Sequence, residues 1–494
     1  MKTHFLIGAA SSGCGKTTFT LGLLRALKNR SLRVQPFKCG PDYIDTRHHR
    51  MAAGCASVNL DRFMMSEAHI ETLYRQYAST ADVAVTEGVM GLFDGYKGME
   101  GSSAEIARML QIPVVLVVNA KSAAYSVAPI LYGFKHFNKE IRIAGVLFNW
   151  VASENHYSFL KRACEDVGVE ALGYLPKCAD IEIPSRHLGL SLEEDFCFDA
   201  FADRIAGWVE QQVDIDRLLE VASSAGAYGA SGEKNCLYPC RKKEKGKEKE
   251  SEAKKEKKES SPASFFSGNP KSRRIAVARD AAFNFVYEEN IRWLGRIGEL
   301  TYFSPLQDCS LPEADLVYLP GGYPELHLPG LSGNTSLLRS IREYVEAGGK
   351  LLAECGGMMY LCREIVAADG NAYPMAGILD QSATMEAMKL KLGYRRLRYR
   401  EDTLLGHEFH YSRILSQDKP LPSVAEACTA RGERAETLLY RYKNVLAGYT
   451  HLYWADDTSN AWFIRYLNES APSPSDEWDL PSQNEPGADA EAGV

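Results

Sequence analysis

The feature that most constrains this chain is a glycine-rich loop close to its start, caught between an apolar strand and an amphipathic helix. Phe5-Leu6-Ile7-Gly8 reads as strand. Ser11-Ser12-Gly13-Cys14-Gly15-Lys16-Thr17-Thr18 reads as loop, and residues 17–29 read as helix. Further short apolar runs follow at 33–37, 83–86, 113–118 and 143–148, separated by helical patterns at 67–77, 102–110 and 125–137. Strands alternating with helices predict βαβ units, hence a parallel sheet with helices on both faces.

The loop carries a chemistry of its own. Backbone amides around Gly13 and Gly15, with the helix N-terminus, surround phosphate oxygens. Lys16 reaches the β- and γ-phosphates, the Thr17 hydroxyl ligates Mg²⁺, and Thr18 completes the loop. The usual pattern has glycine six residues before the lysine; here that position is Ala10. The run 83–86 ends in Glu87, a candidate Mg²⁺ ligand at a carboxyl strand end. Asp94, in the loop 88–95, is placed to reach the same site. Lys38, Asp42 and Asp45 are expected on one loop after the second strand. ATP and Mg²⁺ are the expected cofactors.

Past residue 271 a second α/β pattern begins. Strand candidates lie at 274–278, 300–303, 316–319 and 350–353, with a helical stretch at 337–347 and a strand-rich region at 384–450. Within it, Ala353-Glu354-Cys355-Gly356-Gly357 reads as a nucleophile elbow, with a helix expected over 358–365. The helix terminus is expected to favour thiolate. Leu319-Pro320-Gly321-Gly322-Tyr323-Pro324-Glu325 can offer amides to an oxyanion. A thiol nucleophile needs a base. His451, His407 and His410 are the candidates, and spacing does not choose among them. One site that activates a carboxylate and another that frees ammonia from glutamine make an ATP-driven, glutamine-dependent amide-forming enzyme.

At 494 residues two or three domains are expected. The reading divides the chain into an ATP-binding domain at 1–221, a linker or insertion at 222–271, a glutaminase domain at 272–466 and a disordered acidic tail at 467–494. The net charge of −7 conceals a run, Arg241 to Glu259, with ten Lys/Arg and six Glu, leaving −11 for the rest. That balance argues against a nucleic-acid-binding body, and the run reads as a solvated linker. No apolar run is long enough for a membrane span, and no cleavable leader is expected ahead of the phosphate loop. The twelve cysteines are scattered singly. Cys236/Cys240 and Cys355/Cys362 lack partners for a zinc site. Reduced thiols and a cytoplasmic location are expected.

The chain resembles the cobyrinic acid a,c-diamide synthase family. The resemblance rests on Pro36-Phe37-Lys38-Cys39-Gly40-Pro41-Asp42-Tyr43-Ile44-Asp45, residues 87–95, Pro184-Ser185-Arg186-His187-Leu188-Gly189-Leu190, Ala276-Val277-Ala278-Arg279-Asp280, and residues 321–327, 353–357 and 406–412. It implies a dethiobiotin-synthetase-like ATPase domain joined to a class I glutaminase. It implies stepwise amidation of the c- and a-acetates of a corrinoid, with ammonia from L-glutamine. Residue by residue, it makes Cys355 the nucleophile and His451 its base. Lys16 and Thr17 become phosphate and Mg²⁺ residues, and Glu87 a Mg²⁺ ligand. Asp45 and Asp94 become acids near the reacting carboxylate, and Asn149 an adenine-reading asparagine. Ala9-Ala10 replaces the family's usual Gly-Thr. Tyr453 stands where ordinary glutaminase triads carry glutamate, leaving the group that orients His451 open. Hydrogenobyrinic acid and nickel-sirohydrochlorin are alternative tetrapyrroles. A Min/Par-type regulatory ATPase is the alternative of a different class, but its second lysine is here Ser11. The oligomeric state, a homodimer included, is open.

Overall fold

The computed structural model describes residues 3–177, 185–186, 189–190, 198–223, 273–415 and 420–469. Most of the linker and the tail expected from sequence lie outside the described residues. Two compact units divide near residue 270.

In the first unit the elements run β1 (Thr3–Ala9), α1 (Lys16–Asn29), β2 (Val34–Cys39), α2 (Ile44–Ala53), β3 (Val58–Leu60), α3 (Glu67–Ala78), β4 (Val83–Glu87), α4 (Ser103–Leu110), β5 (Val114–Asn119), α5 (Val127–Phe137), β6 (Ile143–Val151), α6 (Glu154–Val167) and β7 (Ala171–Pro176). A short pair β8 (Ser185–Arg186) and β9 (Gly189–Leu190) precedes α7 (Phe198–Gln212) and α8 (Ile215–Ser223). Seven parallel strands form one sheet in the order β3-β2-β4-β1-β5-β6-β7. β1 and β5 are buried on both faces, which is why Phe5-Leu6-Ile7 and Val114-Val115-Leu116-Val117-Val118 are continuous apolar runs rather than alternations. α1 packs Phe19, Leu23, Leu24 and Leu27 against the core shared with Phe201, Ile205 and Val209 of α7. Serine caps start three of the helices: Ser66, Ser102 and Ser153 accept the amides of His69, Glu105 and His156.

The second unit runs β10 (Arg274–Ala278), α9 (Glu288–Ile297), β11 (Glu299–Phe303), β12 (Leu316–Leu319), α10 (Leu328–Gly333), α11 (Thr335–Glu346), β13 (Lys350–Glu354), α12 (Gly356–Leu361), β14 (Cys362–Val366), β15 (Ala372–Pro374), β16 (Leu379–Thr384), β17 (Lys391–Tyr399), β18 (Asp402–His410), β19 (Arg413–Ile414), β20 (Glu426–Thr429), β21 (Arg434–Ala435), β22 (Leu439–Tyr442), β23 (Val445–Gly448), β24 (His451–Leu452) and α13 (Ala461–Asn468). Its central sheet has the order β11-β10-β12-β13-β23-β22. All its pairs are parallel except β22–β23. Two accessory sheets, β15-β14-β16-β19 and β21-β20-β17-β18-β24, account for the strand-rich region.

Three expectations need correction. The helix after Cys355 stops at Leu361, and Cys362–Val366 is a strand. α8 and α13 end at Ser223 and Asn468, two residues past the boundaries expected at 221 and 466. Lys38 lies inside β2 and Asp45 in the first turn of α2, so the three charges expected on one loop come from three kinds of element.

Candidate active site

In the first unit the candidate residues gather at the carboxyl ends of β1, β2 and β4, where a doubly wound sheet binds its ligands. Gly13 and Gly15 take φ of 74° and 96°, left-handed values that glycine adopts without a Cβ penalty. Space also demands glycine at 15: a Cβ there would lie 2.1 Å from Asn149 Nδ2. Asn149 sits at the carboxyl end of β6 and donates to the Cys14 carbonyl at 3.1 Å, so it braces the loop from behind.

Lys16 is 8% exposed and donates to the Met90 carbonyl at 2.6 Å. Burial draws its pKa down, and the Lys38 cation adds to that. Asp94 accepts the Gly91 amide at 2.9 Å, which ties the 88–95 loop to itself and presents Met90 to Lys16.

Glu87, fully buried, is the hub. Its Oε1 accepts from Thr17 Oγ1 at 2.8 Å and from Lys38 Nζ at 2.9 Å, and its Oε2 meets His49 Nε2 at 2.7 Å. Lys38 also reaches Asp45 at 2.7 Å. Burial opposes charge on Lys38, but Asp45 and Glu87 outweigh it and hold the ammonium well above the ordinary lysine range. Burial likewise opposes charge on Glu87, yet Lys38 and His49 hold it well below the usual carboxylate range. Asp45 goes the other way: burial first, then the Asp42 charge, push it well up despite Lys38. Of the two carboxylates sharing one lysine, Glu87 is therefore the firm anion.

Sequence reasoning missed His49. With Glu87 ionised and acceptor-only, His49 Nε2 carries a proton toward it, and Nδ1 lies 3.1 Å from the Ser57 hydroxyl. Among the described residues no group of three or more His, Cys, Asp or Glu is arranged to hold a metal by itself.

In the second unit Cys355 follows β13 at a backbone turn of φ 48°, ψ −109°, an unusual conformation for a residue with a side chain. Its amide is fixed to the Gly448 carbonyl at 2.7 Å. The next two residues must be glycine. A Cβ on Gly357 would lie 2.2 Å from the Leu319 carbonyl oxygen, and one on Gly356 would lie 2.7 Å from Pro324 Cδ. The elbow is thus pressed against the 319–324 loop. The same loop touches His451, since a Cβ on Gly321 would lie 2.2 Å from His451 Cε1.

Burial, with Glu325 next, pushes the Cys355 thiol up rather than down. The six-residue α12 does not overcome desolvation, contrary to the expectation of a terminus-favoured thiolate. His451 is fully buried, and burial, with His407 and His410 next, draws it down to about 3. His407 faces His451 across the β18–β24 pair. His410 bonds the Ser412 carbonyl at 2.8 Å and stacks on Tyr449 at 3.7 Å, a packed position away from the glycine loop contact that His451 makes.

Comparison with known proteins agrees with both halves. Residues 5–190 match the CobQ/CobB/MinD/ParA nucleotide binding domain, and residues 274–459 the CobB/CobQ-like glutamine amidotransferase domain. A cobyrinate a,c-diamide synthase of Caldanaerobacter subterraneus subsp. tengcongensis is 39% identical over 461 residues, covering 91% of this chain and 94% of that protein. One from Listeria monocytogenes is 38% identical, covering 91% and 96%. A hydrogenobyrinate a,c-diamide synthase of Rhodobacter capsulatus is 40% identical over 440 residues, covering 86% and 93%. The chain therefore belongs to the a,c-diamide synthase family, a nucleotide-binding domain followed by a glutamine amidotransferase domain.

Proposed function

We propose that this chain is an ATP-dependent, glutamine-hydrolysing ligase that amidates the a- and c-acetate side chains of cobyrinate in cobalamin biosynthesis. The observation that carries the reading is the 39% identity to a cobyrinate a,c-diamide synthase across 91% of the chain, spanning both sites. Hydrogenobyrinate is the second reading, favoured by the 40% identity to a synthase named for it.

Thr17 and Glu87, a hydroxyl and a carboxylate 2.8 Å apart, are the donors that would hold Mg²⁺. Bound there, Mg·ATP supplies the phosphoryl group that turns a substrate acetate into an acyl phosphate. Lys16 would give up the Met90 carbonyl for phosphate oxygens when nucleotide binds. Lys38, relieved of Glu87, keeps Asp45 as its partner. Asp45 and Asp94 border the place of the reacting carboxylate, and Asn149 borders the adenine. In the second unit Cys355 attacks the glutamine amide with His451 as base, and ammonia is the product that attacks the acyl phosphate.

The test offers cobyrinic acid, hydrogenobyrinic acid and nickel-sirohydrochlorin in parallel, with either glutamine or ammonium salt, and counts amides by mass spectrometry. Cys355→Ser is expected to lose glutamine-driven product and keep ammonia-driven product. Lys16→Ala is expected to lose both. A Cys355→Ser enzyme with its glutamine-driven rate intact overturns the glutaminase assignment. A Lys16→Ala enzyme with normal yield removes the nucleotide from the reaction.

A further inference from the structure

We propose that Glu354, the residue immediately before the nucleophile, is the acidic partner that positions His451 and balances its charge, filling the role left open at Tyr453. The inference rests on the cysteine-glutaminase reading above. Tyr453 itself is packed away, its amide on the Leu405 carbonyl and its ring edge-on to Tyr287.

Glu354 ends β13, in register with Gly448 of β23. Its Oε1 accepts the amide of Leu452, the residue after His451, at 2.9 Å. Its Oε2 accepts the Tyr318 hydroxyl at 2.7 Å and lies 3.9 Å from His451 Nδ1. The two side chains are 3% and 1% exposed. The carboxyl is therefore fixed at both oxygens, and one anchor is the backbone that carries the histidine. The other titratable groups around His451 are His407 and His410 of β18, Tyr318 of β12, and Glu408, which reaches Thr450. Glu408 is already paired with Arg395 at 2.8 Å. Glu354 is an acid within 4 Å of His451.

The chemistry asks for such a group. As Cys355 is activated, its S–H bond breaks and an N–H bond forms on His451, leaving thiolate and imidazolium in a buried site. With Nδ1 turned to Glu354, Nε2 is the nitrogen left to take the thiol proton. Burial, with His407 and His410 next, draws His451 down to about 3, and burial pushes Glu354 up to about 8. Paired, each supplies the opposite charge the other lacks. An acid hydrogen-bonded to the second ring nitrogen fixes the tautomer of a catalytic histidine, so the 3.9 Å gap between Glu354 and Nδ1 has to close as the imidazolium forms.

Glu354→Gln preserves size and can still accept the Leu452 amide. It is expected to lower glutamine-driven kcat at least about tenfold with little change in KM for glutamine. Ammonia-driven amidation is expected to stay unchanged. The charge of Glu354, like that of Glu325, itself raises the Cys355 thiol; alkylation of Cys355 by iodoacetamide, resolved by peptide mass spectrometry, is nonetheless expected to begin at a higher pH, because loss of the stabilised imidazolium outweighs that direct effect. Tyr318→Phe removes one anchor and leaves the charge, so its alkylation profile is expected to move less; if Glu354→Gln misfolds, Glu354→Asp carries the test, and a glutamine-driven kcat unchanged in it overturns the proposal, since the shorter acid cannot keep its place beside Nδ1. Equal shifts in the two variants, an unchanged glutamine-driven rate in Glu354→Gln, or loss of both rates in a folded Glu354→Gln enzyme each overturn the proposal. Retention of glutaminase by Cys355→Ser, run alongside, overturns instead the reading on which it rests.

Discussion

Lys38 is 3% exposed and stands between Asp45 and Glu87, so its charge is what allows two carboxylates under the phosphate loop. Removing one member of a buried ion cluster leaves its partners uncompensated, which typically costs 3–5 kcal/mol. Lys38→Met is therefore expected to lower the thermal midpoint of the nucleotide-free protein by several degrees, and scanning calorimetry reads it. An unchanged midpoint means that Asp45 and Glu87 take up protons at no cost, against the firm ionisation assigned to Glu87. At this scale the sequence named Lys16, Thr17, Lys38, Asp45 and Glu87 because a phosphate loop and strand ends have known geometry. It did not name His49. His48 and His49 are adjacent in α2; His48 stacks on Phe198 while His49 meets Glu87. No periodicity separates a histidine in a core from one that holds a carboxylate.

At the scale of elements, the elbow works because β13, α12 and the 319–324 loop approach closer than any side chain on Gly321, Gly356 or Gly357 permits. Gly321→Ala drives a methyl into the His451 ring, which must turn or retreat. Glutamine-driven product is expected to fall at least about tenfold, with ammonia-driven product retained; equal loss of both rates places the damage outside the glutaminase. Gly357→Ala meets backbone, the Leu319 carbonyl, and the turn cannot close without moving β12 or β13. The elbow's existence was legible from Cys355-Gly356-Gly357. The length of its helix was not. Cys362-Arg363-Glu364-Ile365-Val366 buries only Cys362 and Ile365 and joins β16 in a separate sheet, and partners 17 or 18 residues downstream are invisible to a local pattern.

At the scale of the whole molecule, the buried titratable groups set a pH for greatest stability in the second unit. His407 and His451 are drawn down to about 3 and His410 to about 4 by burial, from 6.5. Below pH 6.5 the unfolded chain takes up three protons there that the folded chain refuses, so stability falls as pH falls. Glu354 and Glu325 act in the opposite sense, raised by burial to about 8 and about 7 from 4.5. The folded chain keeps protons on them that the unfolded chain releases, so their contribution is present below pH 4.5 and lost as pH rises through 7 and 8. Between 4.5 and 6.5 the histidines outnumber the glutamates by one, a slope of about 1.4 kcal/mol per pH unit. Above 6.5 only the glutamates act. Protection against hydrogen exchange in β18, β23 and β24, corrected for intrinsic rates, is expected to peak near pH 6.5 in the full chain. A steady rise from pH 5 to pH 8 contradicts this.

The sequence by itself determined what is local. Strand–loop–helix order, continuous apolar runs and special glycines fixed a parallel sheet, a phosphate loop and a cysteine elbow, because hydrogen-bond geometry and side-chain periodicity act over a few residues. Only the tertiary structure decided what arises between elements. It turned Lys38 from a loop charge into the centre of a buried cluster and set burial above the helix terminus at Cys355. It also brought Glu354 to within 3.9 Å of His451, 97 positions away in the chain. Desolvation and pairing of charges depend on which strands lie side by side, and that neighbourhood is written in sheet order rather than in any local run of residues.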